Sequence, residues 1–296
     1  MKHLVIASLA ALTILGCATD KEAMQSSQRA LGASSSVGHG TVTSYADFDG
    51  TGAPKAIGVI FQASALEGLP ASGSDGHHCF DRNKDGKIDL EHECEETYEK
   101  VIPLPGEAAR RSDIPFKWVG LNWNPHGHIP HGVYDLPHFD VHFYIEPIEN
   151  VFAIGSGACG PEFVRCDQFK IATRPLRSDH MPADYKNVNA VAPAMGNHLI
   201  DLTSPEFHKI KFTRTFIFGT YDGHLTFYEE MLTRAYLQSG PNKCSAIKSP
   251  PAVATKGYYP TQSCVRFLPE SNEYTVSLEG FTLREGSARV AASPKH

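Results

Sequence analysis

The run His138-Phe-Asp-Val-His-Phe-Tyr-Ile145 constrains the fold more than any other part of this chain. Successive side chains on a strand point to opposite faces. One face therefore carries His138, Asp140, His142 and Tyr144, and the other Phe139, Val141, Phe143 and Ile145. The Phe/Val/Ile face requires a core. The His/Asp face must meet water, a pocket or a metal. Five of the fifteen histidines, His126, His128, His131, His138 and His142, crowd this region. Imidazole is the commonest protein ligand for transition metals and is available in neutral form near pH 7.

The same alternation recurs at 41–48, 55–61, 116–123, 212–219, 225–231 and 273–283, which are expected as strands beside 139–145. Tyr221-Asp222-Gly223-His224 has the Asp-Gly signature of a tight hairpin. Short helices are expected at 64–68, 204–209 and 233–237. The pattern predicts a mainly β protein, an antiparallel barrel or sandwich with short helices, built as one domain over 41–290. A net charge of −6 without a Lys/Arg cluster argues against nucleic acid as partner.

The N-terminus points to export. Lys2 and His3 precede an apolar run, Leu4 to Leu15, that is right for a signal peptide and too short to span a bilayer. Ile14-Leu15-Gly16-Cys17 resembles the bacterial lipobox, which implies cleavage and lipid attachment at Cys17. Residues 1–17 are then a lipoprotein signal and 18–40, rich in Ala, Ser and Gly, a flexible tether. The implied address is the bacterial cell envelope with a lipid anchor in the membrane. Ala18 favours the outer membrane in a diderm host. Six further cysteines in an oxidising compartment suggest disulfides, and short separations favour Cys79–Cys94, Cys159–Cys166 and Cys244–Cys264.

Asp81-Arg-Asn-Lys-Asp-Gly-Lys-Ile-Asp89 matches the spacing of a calcium loop inserted at 79–94. Asp81, Asn83, Asp85 and Asp89 offer side-chain oxygens, Lys87 its carbonyl, and Gly86 the sharp turn. His92 stands where a bidentate Glu belongs, so Glu91 or Glu93 must substitute. Without one strong ligand, the loop should bind calcium weakly and for structure.

For a transition metal, Zn foremost, the expected ligands are His128, His138, His142, His198 and Glu229, three or four of them around one centre. Glu229 shares a strand face with Leu225, Phe227 and Met231. A buried carboxylate in such a row requires a partner. His198 is expected on a loop. Asp140 and Glu229 are also candidate catalytic bases. No G-x-S-x-G element is present, and paired cysteines leave no visible nucleophile.

Three segments together resemble a family of uncharacterised bacterial secreted proteins and lipoproteins. They are Gly127-His-Ile-Pro-His-Gly-Val-Tyr-Asp-Leu-Pro-His-Phe-Asp-Val-His-Phe-Tyr144, Pro193-Ala-Met-Gly-Asn-His198 and Gly219-Thr-Tyr-Asp-Gly-His-Leu-Thr-Phe-Tyr-Glu-Glu-Met-Leu-Thr233. Ala56-Ile-Gly-Val-Ile60 and Ala65-Leu-Glu-Gly-Leu-Pro70 fit the same resemblance, which spans roughly 40–237. The family often has Glu-Pro-Met where this chain has Glu230-Met231, which makes Glu229 the matching acid, and His131 falls at a variable position. The resemblance implies a β-rich fold and no settled activity. Cupin barrels, which use an H-x-H pair, a Glu and a later His, offer an analogy in ligand types only, because strand spacing and order differ.

Two functions follow as expectations. One is a lipid-anchored extracytoplasmic protein holding a divalent transition metal in a His/Glu-lined pocket, either as a metal-dependent enzyme or as a closed metal-binding site. The other is a non-catalytic structural or assembly protein, a homo-oligomer for example, whose His/Asp/Glu cluster is a hydrogen-bonded network. An open coordination position would favour catalysis. The small-molecule ligand is not legible.

Overall fold

A computed structural model describes residues 28–287. The expected signal segment, Cys17 and residues 18–27 of the expected tether lie outside the described residues. Strands run β1 (Gln28–Val37), β2 (Gly40–Phe48), β3 (Pro54–Gln62), β4 (Tyr98–Pro103), β5 (Trp118–Asn124) and β6 (His138–Tyr144). They continue as β7 (Ser156–Cys159), β8 (Tyr185–Ala192), β9 (Gly196–Asp201), β10 (Arg214–Tyr221) and β11 (His224–Thr233). The last are β12 (Asn242–Ala246), β13 (Gly257–Tyr259), β14 (Gln262–Leu268), β15 (Glu273–Glu279) and β16 (Thr282–Arg284). The connections carry only short helices.

Two antiparallel sheets form a sandwich. One has the order β1-β2-β3-β15-β14-β12, the other β4-β5-β6-β11-β10-β9-β8. Neither closes on itself, so the barrel alternative, and with it the cupin analogy, does not hold. The core lies between them. Ile57, Val59 and Phe61 of the first sheet meet Val119, Leu121, Phe139, Val141 and Phe143 of the second. The rings of Phe61 and Phe139 touch edge to face at 5.3 Å. The apolar face of 139–145 thus packs where its alternation requires.

Two sequence expectations are corrected. The tether reading of 18–40 fails from Gln28, because β1 pairs with β2, Gln28 opposite Phe48. β1 is an edge strand with mostly open side chains, so it lacks the apolar alternation that marks strands nearer the middle. The single strand expected at 273–283 is two, β15 and β16, separated at Gly280, whose φ of +64° turns the chain.

The Asp222-Gly223 hairpin forms as expected, with both residues at positive φ between β10 and β11. The three disulfides are Cys79–Cys94, Cys159–Cys166 and Cys244–Cys264. They place the folded chain in an oxidising, non-cytoplasmic compartment. Among the described residues no helix is long and apolar enough to cross a membrane.

β6 and β11 sit at the middle of the seven-stranded sheet. Their outer face is also covered. One apolar cluster, Tyr134, Ile200, Phe212, Ile217 and Met231, lies at one end. Another, Trp118, Tyr144, Val151, Met195 and Phe227, lies at the other. Between them the His, Asp and Glu side chains of the outer face are shut away from bulk water.

Candidate metal centre

The register of the sheet builds the site. Glu229 of β11 stands directly opposite His142 of β6, and Met231 opposite Asp140. On the far side of β6, Asn122 and Asn124 of β5 stand opposite Asp140 and His138. His198 is in β9, paired with Gly219 of β10, and not on the expected loop. Gly219 is required here. A Cβ at this position would overlap the ring of Phe227, and that ring packs against both His142 and His198, with centroids 4.9 and 5.2 Å away.

The expected ligands do not converge on one centre. They divide into two groups, His142–His198–Glu229 and His128–His138–Asp140, within each of which the ligand atoms lie within 4.8 Å of one another. The division follows from the strand. His138 and His142 are four residues apart, a rise of about 14 Å at ~3.4 Å per residue, too far for one ion.

In the first group, Glu229 Oε2 is 3.5 Å from His142 Nε2 and 3.9 Å from His198 Nε2. These separations are too long for hydrogen bonds. They are close to the spacing of about 3.3 Å that ligand atoms take around a tetrahedral zinc with bonds of ~2.0–2.1 Å. His198 Nδ1 donates to the Ala190 carbonyl at 3.0 Å, which leaves Nε2 without its proton when the ring is neutral. Glu229 Oε2 and His142 Nε2 are buried without a hydrogen-bond partner.

In the second group, Asp140 Oδ1 lies 3.1 Å from His138 Nε2, and Oδ2 lies 3.3 Å from His128 Nε2. His138 Nδ1 donates to the Leu136 carbonyl at 2.6 Å and His128 Nδ1 to the Ile129 carbonyl at 2.7 Å. Asn124 Nδ2 holds Asp140 Oδ2 at 2.6 Å.

Burial pushes His142 down to about 3 and His198 to about 4, so both rings are neutral and able to bind a metal near pH 7. Glu229 is held well above the usual carboxylate range, first by burial and then by the charges of Asp140 and Glu230. Burial would also raise Asp140, but His138 and His128 outweigh it and hold Asp140 well below that range. Burial opposes charge on His128, yet the bond to Asp140 and its attraction lift the ring to about 8.

His128, Asp140 and His198 open on a cavity of about 410 Å³, whose walls include Ile129, Met195 and Phe207. Glu95 and Glu162 also line it. Burial raises both acids, Glu95 well above its usual range. Sequence reasoning missed Asn124, Glu95 and Glu162. Asn122 and Asn124 alternate inside an otherwise apolar strand, a signal that could have placed them beside the polar face of β6.

His126 and His131 take no part in either group. His126 pairs with Glu96 and His131 with Asp135, both on exposed turns. In the 79–94 loop, Asp81 Oδ2, Asn83 Oδ1, Asp85 Oδ1 and Asp89 Oδ1 accept backbone N–H groups from Gly86, Asp85, Lys87 and Glu91. Glu93 turns inward and binds the amides of Arg82, Asn83 and Asp89, whereas Glu91 stays exposed. Comparison with family models, curated proteins and solved structures gives no match, so the site is read from its own geometry.

Proposed function

We propose that this protein is a lipid-anchored protein of the bacterial cell envelope that binds a divalent transition metal, Zn foremost, through His142, His198 and Glu229. One observation carries the reading. Glu229 is 1% exposed, among the described residues no Lys or Arg pairs with it, and its Oε2 has no hydrogen-bond partner while two neutral imidazoles face it. A buried carboxylate left this way is costly, and a cation between the three groups removes the cost. A hydrogen-bonded network, the other expectation, accounts less well for this group, because its separations exceed hydrogen-bond length.

Two histidines and a carboxylate leave a fourth coordination position, and His198 brings the centre to the wall of the 410 Å³ cavity. Such a set suits a metal that polarises a bound small molecule or activates water. This favours a metal-dependent enzyme over a closed structural site. The resemblance to bacterial secreted proteins and lipoproteins and the lipobox-like run ending at Cys17 support the address. Metal analysis of untagged protein tests the function, with zinc expected in the wild type and the ion held by His142 lost in His142→Ala. Wild-type protein that neither contains nor takes up a transition metal would refute it.

A second, structural reading of the 79–94 loop as a calcium loop rests on the Asp81/Asn83/Asp85/Asp89 spacing and on Asp81 Oδ1, which is buried without a partner.

A further inference from the structure

We infer that His128, His138 and Asp140 form a second metal centre, separate from that of His142, His198 and Glu229 and opening on the same cavity. The inference deepens the proposed function, since it concerns the same pocket, but it stands on different atoms.

Both imidazoles present Nε2 to the carboxylate, because each Nδ1–H is committed to a backbone carbonyl, Leu136 for His138 and Ile129 for His128. A ring fixed in this way, by a donor bond from its other nitrogen, is the usual support of a metal-binding histidine. His138 Nε2 and Asp140 Oδ1 lie 3.1 Å apart, yet both are buried without a properly directed hydrogen bond. His138 Nε2 faces Asp140 Oδ1 at 3.1 Å and His128 Nε2 faces Oδ2 at 3.3 Å, and one ligand atom from each of the three residues lies within 4.8 Å of the others, close enough for one ion to bind all three. Asn124 Nδ2 donates to Asp140 Oδ2 and orients the carboxylate, as hydrogen-bonding partners of ligating carboxylates do. His128 and Asp140 line the cavity and His138 does not, so the remaining coordination position faces it. Imidazole and carboxylate together suit zinc or another divalent first-row ion, which on binding would displace the proton that His128 holds beside Asp140 in its absence.

The two centres share no ligand residue. Asp140 and His142 are two residues apart on β6, a step of about 7 Å, whereas metals that share a hydroxide stand ~3.5–4 Å apart. Each ion would act alone on the cavity, or both would hold different parts of one bound molecule.

The test is zinc stoichiometry by titration calorimetry on the metal-free, untagged protein, with cobalt absorption as a second readout. Two zinc ions are expected in the wild type. His138→Gln should lose one and keep the other, and Glu229→Gln should show the reverse. Asn124→Ala removes no ligand and should weaken one of the two sites 10- to 100-fold, which keeps the test open if His138→Gln does not fold. One zinc in the wild type, lost in Glu229→Gln and retained in both His138→Gln and Asn124→Ala, overturns the second centre and leaves the proposed function standing. One zinc that His138→Gln abolishes and Glu229→Gln retains supports this centre and removes the other. Two zinc ions retained in His138→Gln also overturn the inference.

Discussion

Glu229 and Glu230 are neighbours in sequence and opposites in environment, and exchanging each for Gln should have opposite effects. Glu230 points into the core between the sheets. It is fully buried but meets Arg214 Nε at 2.6 Å and a second guanidinium nitrogen at 2.8 Å, and Ser263 Oγ donates to it at 2.5 Å. Glu230→Gln leaves Arg214 buried against a neutral amide. Breaking a buried pair costs about 3–5 kcal/mol, and a domain of roughly this size loses about 2–4 °C per kcal/mol, so the melting point should fall by roughly 6–20 °C.

Glu229 has no such partner. Its raised pKa means that the metal-free fold favours the protonated acid, so the stability it contributes is full below the ordinary value of 4.5 and is lost as pH rises toward its folded value. Glu229→Gln should therefore leave metal-free protein at pH 7 as stable as the wild type or more so. The same change should remove this centre's share of stabilisation by zinc, which at 100 times Kd amounts to about 2.7 kcal/mol, or roughly 5–11 °C. Scanning calorimetry with chelator and with excess zinc reads all of these quantities. If Glu229→Gln destabilises the metal-free protein as much as Glu230→Gln and leaves the zinc shift intact, Glu229 belongs to a satisfied network and the metal argument fails.

Three other outcomes are expected. Gly219→Ala should cost about 1–3 kcal/mol through overpacking against Phe227 and weaken zinc binding through His142 and His198; a melting curve and zinc affinity equal to wild type would show that the ring has room to move. His142 and His198 are held neutral at about 3 and 4, so their contribution is full above the ordinary 6.5 and is lost as pH falls through that value toward the folded ones. Metal-free Glu229→Gln should accordingly lose stability on acidification from pH 7 to 5, and a flat urea midpoint over that range would contradict this. Millimolar calcium should raise the melting point of the wild type and not of Asp85→Ala, and equal shifts in both would remove the calcium reading of 79–94.

The sequence shows the parts of the fold where one face of a strand is apolar and the other is not. β2, β3, β5, β6 and β10 are read at nearly their true positions because each buries an apolar face between the sheets, and β11 because its apolar outer residues, Phe227 and Met231, alternate with an inner face of Tyr228, Glu230 and Leu232. β1, β8 and β12 are edge strands, rich in Ser, Asn and Lys. Their backbone bonds are fixed by a neighbour and not by their own pattern, so no alternation betrays them. β9 is hidden for a related reason. Gly196-Asn-His-Leu-Ile-Asp201 has too few alternating positions, and without that strand His198 reads as a loop residue.

The candidate site is legible to the same depth. Alternation within β6 places His138, Asp140 and His142 on one face, and the apolar row around Glu229 marks it as a carboxylate in need of a partner. The partition into two centres depends on what lies outside any single strand. The β6–β11 register sets Glu229 against His142 and no closer to His138. The segment between β5 and β6 returns His128 over Asp140, with its ring 4.8 Å from that of His138. A one-residue slip of β11 would turn Glu229 to the core and bring Glu230 to the outer face. What prevents it is remote from the site: Arg214 and Ser263 claim Glu230 from the inner side. The buried ion pair in the core thus fixes which of two adjacent acids faces the histidines.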